Sequence, residues 1–195
     1  VANLSNSPLK LTFADVSPFL SLSVSPNPIP ARGTAEVTYT VTADRSLWGK
    51  NYYWATPVVN GKTYTSSEGD KKIGFWAYTR EDFSGVSADD KRNGPRPTFK
   101  ESTYTFGKVK KGKTVTAEFT FKNDGKQPFK VYKVDADTDI TSGSIPVAAP
   151  GESVTFKVGL DTTDLPKGES LTIITLTTNS PLRPIVNIFI SGYIE

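Results

Sequence analysis

From Thr114 to Lys122 the residues Val115, Ala117, Phe119 and Phe121 alternate strictly with Thr114, Thr116, Glu118, Thr120 and Lys122. A period of two puts one set on a buried face and the other in water, which only an extended strand achieves. Val154, Phe156, Val158 and Leu160 repeat the pattern, and Val186, Ile188, Ile190 and Ile194 repeat it near the C-terminus. Tyr104 and Phe106 mark a short earlier strand, Phe129 to Val134 another, and Leu171 to Thr177 a longer one. Turn-forming residues separate them at Lys111-Gly112, Asn123-Asp124-Gly125, Pro150-Gly151, Pro166-Lys167-Gly168 and Asn179-Ser180-Pro181. Such a series of strands, with no amphipathic helical stretch, predicts a β-sandwich.

The N-terminal half carries the same kind of pattern. Leu9, Leu11 and Phe13 alternate, as do Leu20, Leu22 and Val24, and then Ala35, Val37, Tyr39 and Val41. Tyr52 to Val59 and Ile73 to Thr79 flank the turn at Asn60-Gly61. Pro26, Pro28 and Pro30 remove backbone donors and predict an extended edge connection there. Residues 81–98 lose periodicity and gain turn residues, with a short helical turn expected around Ser87 to Arg92. The predicted organisation is therefore a first module at 1–82, a linker at 83–98 and a second module at 99–195.

The two halves share an ordered set of anchors. Asn3, Pro8 and Leu9-Lys10-Leu11 correspond to Asn123, Pro128 and Phe129-Lys130-Val131. Gly33 then matches Gly151, Gly49 matches Gly168 and Asn60 matches Asn179. This order predicts two copies of one module. In the second copy Thr103 to Phe121 supplies two strands ahead of Asn123, whereas only Val1 and Ala2 precede Asn3. The first module is expected to lack its N-terminal strands, which leaves an open strand edge. Two explanations stand: a trimmed chain, consistent with the absence of methionine even at position 1, or a strand donated by a protein partner or neighbouring copy.

Composition narrows the chemistry. With no cysteine and no histidine, disulfides, thiolate metal sites, cysteine nucleophiles and the usual serine triad are excluded. We expect no catalytic residues, no metal and no cofactor. No stretch is apolar for long enough to span a bilayer. The net charge is +3, and the one dense basic run, Lys108-Val109-Lys110-Lys111-Gly112-Lys113, sits between alternating patterns and reads as a solvated turn rather than a nucleic-acid patch. Asp135, Asp137 and Asp139 alternate before Thr141-Ser142-Gly143 without the spacing of a calcium loop, and read as a solvated acidic loop.

The aromatic group Trp48, Tyr52, Tyr53, Trp54, Phe75, Trp76 and Tyr78 is denser than a small core requires. If Ile73 and Phe75 face inward, Trp76 and Tyr78 face outward. Trp48, Trp76 and Tyr78 are then candidate binding residues for a protein partner or a sugar ring. The competing arrangement puts Tyr52 and Trp54 in the core and Trp76 against the other module.

Several motifs carry a family resemblance. Tyr104-Thr105-Phe106-Gly107-Lys108-Val109-Lys110-Lys111-Gly112 resembles the "FG-x-[IV]-x-x-G" opening of the bacterial domain of unknown function 1573. Phe119-Thr120-Phe121-Lys122-Asn123-Asp124-Gly125-Lys126-Gln127-Pro128-Phe129 resembles its "F-x-F-x-N-x-G-x-x-P-L" core. Ala149-Pro150-Gly151-Glu152, Thr178-Asn179 and the connector-like Glu81-Asp82-Phe83-Ser84 extend the likeness, which is strong over 103–195 and weaker over 1–80. The family is similar to abnormal-spindle and hydin-type immunoglobulin-like domains, and its bacterial members are mostly exported proteins or lipoproteins without an assigned reaction. The resemblance implies an all-β fold of two immunoglobulin-like β-sandwich modules in tandem. It also implies a non-enzymatic structural or protein-interaction role outside the cytoplasm, in the periplasm or at the cell surface, with carbohydrate binding by exposed aromatics as the alternative. Where members carry "S-C-G-C-T", this chain has Asp137-Thr138-Asp139-Ile140-Thr141, so no role of those cysteines transfers.

Overall fold

The computed structural model describes residues 1–66 and 69–195, and its regular secondary structure is strand apart from one short helix. The chain divides into two compact units, Val1–Thr79 and Arg80–Glu195. No helix among the described residues is long and apolar enough to cross a membrane.

The first unit holds β1 (Leu11–Ala14), β2 (Leu20–Ser25), β3 (Glu36–Val41), β4 (Gly49–Val59), β5 (Lys62–Thr63), β6 (Thr65–Ser66), β7 (Gly69–Asp70) and β8 (Ile73–Thr79). The long strand β4 organises it. Its C-terminal half pairs antiparallel with β1, Leu11 opposite Val59, and with β5. Its N-terminal half pairs with β8, Tyr53 opposite Phe75. A separate ladder joins β2 to β3, with Leu20 opposite Val41, and a third joins β6 to β7. The Pro26–Pro30 connection follows β2, as its prolines require, and delivers Ile29 to a bridge with Leu9, where Ile29 is fully buried. The buried apolar residues form two small clusters, one around Leu11, Ile29 and Ala35, the other around Leu20, Tyr53 and Ala55.

The second unit begins with α1 (Ala88–Asn93), whose N-cap Ser87 accepts the Asp90 N–H at 3.1 Å. It continues with β9 (Pro97–Phe99), β10 (Thr103–Val109), β11 (Thr114–Asn123), β12 (Val131–Ala136), β13 (Ile140–Ser142), β14 (Ser153–Asp161), β15 (Gly168–Thr178) and β16 (Ile185–Ile194). Two four-stranded sheets result, ordered β10-β16-β15-β12 and β13-β14-β11-β9. The alternating residues of β11 and β14 from one sheet and of β15 and β16 from the other meet in a single core, consistent with a β-sandwich. Phe121 is fully buried there, with ring centroids of Phe129 at 5.0 Å and Phe99 at 5.5 Å. The basic run is a turn, with Gly112 at φ 82° between β10 and β11.

The stretch expected as a linker, 83–98, lies within the second unit. Its aperiodic residues are held by hydrogen bonds that leave no sequence period. Asp124 N–H donates to the Arg96 carbonyl at 2.9 Å, the Ser180 hydroxyl to the Pro95 carbonyl at 2.6 Å, and Arg183 to the Pro97 carbonyl at 3.2 Å. Gly125 permits this crossing, because a Cβ there would stand 2.2 Å from the Gly94 carbonyl oxygen.

Each unit turns a corner on a buried asparagine. Asn123 Nδ2 donates to the Gln127 and Ala148 carbonyls at 2.8 and 3.0 Å, and its Oδ1 accepts the Gly125 N–H at 3.0 Å. Asn3 Nδ2 donates to the Ser7 and Ile29 carbonyls at 2.8 and 3.2 Å, and its Oδ1 accepts the Ser5 N–H at 3.0 Å. Asn60 Oδ1 accepts the Lys10 N–H and Asn179 Oδ1 the Lys130 N–H, both at 2.8 Å.

Candidate interaction surface

Two features of the first unit stand out: an aromatic sheet face and an open apolar groove. The face follows from the phase of β4. Tyr53 and Ala55 point inward, at 5% and 0% exposure, so period-two geometry turns Tyr52 and Trp54 outward. The β4–β8 register sets Trp76 opposite Tyr52, Tyr78 opposite Lys50 and Gly74 opposite Trp54. Tyr52 is 64% exposed, Trp54 45% and Trp76 65%. Lys50 Nζ stands 5.1 Å from the Tyr52 ring centroid and 5.9 Å from that of Trp76, and Lys72 Nζ stands 5.7 Å from that of Trp54. These are cation–π distances. No Cβ at Gly74 crowds the neighbouring position, since the space there is open.

The sequence-derived candidates fall in three places. Trp76 is at the centre of this face. Tyr78 is on the same side of β8, half-buried, beside Lys50. Trp48 precedes β4 and is half-buried outside the strand. The arrangement with Tyr52 and Trp54 in the core is overturned: Tyr53 and Ala55 occupy the inward positions of β4. Tyr52 and Trp54 are thus surface residues, and only the competing one of the two arrangements open in the sequence placed them on the wrong side. Pairing Tyr53 with the inward Phe75 carries the signal that would have placed them.

The groove lies on the opposite side of the same strands. It is an open, mainly apolar depression of about 710 Å³, with Leu11, Phe13, Val37, Tyr39, Val59 and Phe75 on its walls. The rings of Tyr39 on β3 and Phe75 on β8 meet across it at 4.7 Å, tilted by 43°. Tyr39 remains 52% exposed and Ile73 42%.

Of the acidic alternation, Asp135 lies within β12, and Asp137 and Asp139 follow it as exposed residues. Asp135 lies 3.1 Å from Lys133 Nζ, and Asp137 accepts the Ile173 N–H at 3.1 Å. Among the described residues no three acidic side chains converge as metal ligands would. Hydrogen bonds from Thr163 hold the exposed Asp161 carboxyl below its usual range, and those from Thr98 and Lys122 do the same for the half-buried Asp124.

Comparisons with known proteins bear on the fold and the family. A protein of unknown function from Porphyromonas gingivalis W83 has a crystal structure similar to this chain, with a TM-score of 0.66 at 16% identity, covering 98% of this chain and 87% of that one. At that identity the likeness is one of fold. An ASH/PapD-like domain of human CEP192 aligns at a TM-score of 0.41 and 8% identity, over 61% of this chain and 97% of that one. The secreted serine protease VesC of Vibrio cholerae aligns at 0.40 and 14%, over 98% of this chain and 46% of that one. No curated protein matches the sequence. The profile described as "Protein of unknown function (DUF1573)" matches residues 97–194, the span of both four-stranded sheets, and the chain belongs to that family.

Proposed function

We propose that the chain is a non-enzymatic structural and protein-interaction module of an exported bacterial envelope protein, carried in the periplasm or at the cell surface. Its two units are read as immunoglobulin-like sandwiches in tandem, built on the shared asparagine corners. The resemblance to a bacterial family of exported proteins and the cysteine-free composition support the compartment; the aromatic face carries the interaction reading. Tyr52, Trp54 and Trp76 form a contiguous exposed set on the β4–β8 ladder, and aromatic side chains, with few rotatable bonds, lose little conformational freedom when a partner covers them.

A second reading, carbohydrate binding, is favoured by one observation. Gly74 leaves the position opposite Trp54 bare, so a flat sugar ring has room to lie beside the indole. The experiment compares the wild-type chain with a Tyr52→Ser, Trp54→Ser, Trp76→Ser variant shown by circular dichroism to be folded. A photo-crosslinker at Lys50 should trap a discrete protein species in envelope extracts, lost in the variant, while calorimetric titration with polysaccharides gives no heat. Heat that the variant abolishes would hand the face to the carbohydrate reading. Identical behaviour of both chains in both assays would end the interaction reading.

A further inference from the structure

The ladders of the two units can be laid over one another residue by residue. Leu20 opposite Val41 and Leu22 opposite Tyr39 in the first match Ile140 opposite Leu160 and Ser142 opposite Val158 in the second. Tyr53 opposite Phe75 and Ala55 opposite Ile73 match Thr172 opposite Ile190 and Ile174 opposite Ile188. β3 therefore corresponds to β14, and β8 to β16. In the second unit β14 carries β11 on its other edge and β16 carries β10. Among the described residues β3 and β8 carry no strand there. The consequence is visible in burial: Val158, Ile188 and Ile190 are fully buried, whereas Tyr39 and Ile73, which correspond to Val158 and Ile188, are 52% and 42% exposed.

The occupant's path is marked by hydrogen bonds already made. The Val1 carbonyl accepts the Ala35 N–H at 2.9 Å and the Val1 amino group donates to the Ala35 carbonyl at 2.9 Å. Ala2 bridges Thr34 in the antiparallel sense. Phe121 and Lys122 at the end of β11 stand in the same relation to Val154 and Ser153. On its other side β3 bonds β2 through residues such as Thr42, whose N–H reaches the Phe19 carbonyl. Strand groups alternate in direction, so the N–H and C=O of Val37, Tyr39 and Val41 point to the open edge, in line with Val1.

We propose that the groove of the first unit is the seat of a two-strand polypeptide segment continuous with Val1. Its second strand runs antiparallel to β3 and ends at Val1; its first runs parallel to β8. Apolar side chains at every second position face Val37, Tyr39 and Val41, as Phe119, Ala117 and Val115 face Phe156, Val158 and Leu160. The segment closes the sandwich and covers Tyr39 and Phe75. The aromatic face is on the other side of β4 and β8 and stays available, so this inference stands apart from the binding reading.

The test places a copy of Thr103–Thr120 directly before Val1 in the full chain, so that Val1 and Ala2 take the places of Phe121 and Lys122. Amide hydrogen exchange is followed at Val37, Tyr39 and Val41, with Thr38 and Thr40, which pair with β2, as internal references. We expect the odd-numbered amides to slow on the order of tenfold or more in the extended chain. The same extension with Val115→Asn, Ala117→Asn and Phe119→Asn in the copied segment should leave them at the rate of the unextended chain. No slowing with the unaltered extension overturns the proposal, and so does equal slowing with the polar one. Slowing by the free Thr103–Thr120 peptide when the fused copy gives none also overturns it, because the groove then serves a separate chain.

Discussion

Replacing Asn123 by alanine isolates the corner of the second unit. The amide is wholly buried and serves four backbone groups: the Gln127 and Ala148 carbonyls, the Gly125 N–H, and the Arg96 N–H at 3.1 Å. The Ala148 carbonyl keeps a second donor, Phe129 N–H at 2.9 Å, but the buried Gly125 N–H is left without its acceptor. An unmade buried hydrogen bond costs about 1–3 kcal/mol, so the Gly125 loss together with the half-buried Gln127 and Arg96 losses gives about 3 kcal/mol. With a urea slope of about 2 kcal/mol/M for a unit of this size, the unfolding midpoint should fall by about 1.5 M. Asn3→Ala should cost about 1 kcal/mol, because most of its partners are only partly buried. The two units can be read separately, since Trp48, Trp54 and Trp76 all lie in the first: tryptophan fluorescence follows that unit, and exchange at the Ile174 amide follows the other. Asn123→Asp adds a sign test. It keeps the acceptor but sets a carboxylate against the Gln127 and Ala148 carbonyls, which raises the folded-state pKa, so its destabilisation should ease as pH falls toward the protonated form. A shift for Asn123→Ala below about 0.5 kcal/mol, or one smaller than that of Asn3→Ala, would refute the account of the corner.

Three further outcomes follow from the same packing. Phe121→Ala should destabilise the second unit by about 3–5 kcal/mol in chemical denaturation, because the ring is fully buried among three others and its space cannot collapse. Gly125→Ala should displace the Gly94–Arg96 backbone, seen as lost exchange protection at the Asp124 amide that bonds the Arg96 carbonyl; unchanged protection would contradict the close crossing. Hydrogen bonds from Thr163 depress the folded Asp161 carboxyl below 3.8, so its contribution is present above that pH and is lost as pH falls below it; Thr163→Ala should flatten that part of a stability–pH curve.

The alternations that begin at Thr114, Val154 and Val186 were legible because each of those strands has one face in the core and one in water. The same reading left two arrangements at Tyr52-Tyr53-Trp54, where aromatic residues occupy both faces and a period of two leaves the phase open. There the phase is set by the partner strand, through Tyr53 opposite Phe75. Within 83–98 the helical turn expected around Ser87 to Arg92 is α1, whereas the order at Pro95 and Arg96 comes from hydrogen bonds to Asn123, Asp124 and Ser180, distant in sequence and without periodic trace. The anchors Asn3, Asn60, Asn123 and Asn179 were readable as spacing, and their buried or bonded amides explain why that residue type stands at each corner.

The parallel pairing of β10 with β16 brings Thr103 beside Phe189 and Val109 beside Ile194. A hairpin cannot make this join; the first full-length strand of the unit must wait for the last. During synthesis, Tyr104 and Phe106 leave the ribosome long before the backbone that will shield them exists. The unit therefore closes only after its final strand has emerged, and termination between β11 and Ile185 would leave the strands of the second unit already made without the partner that covers them.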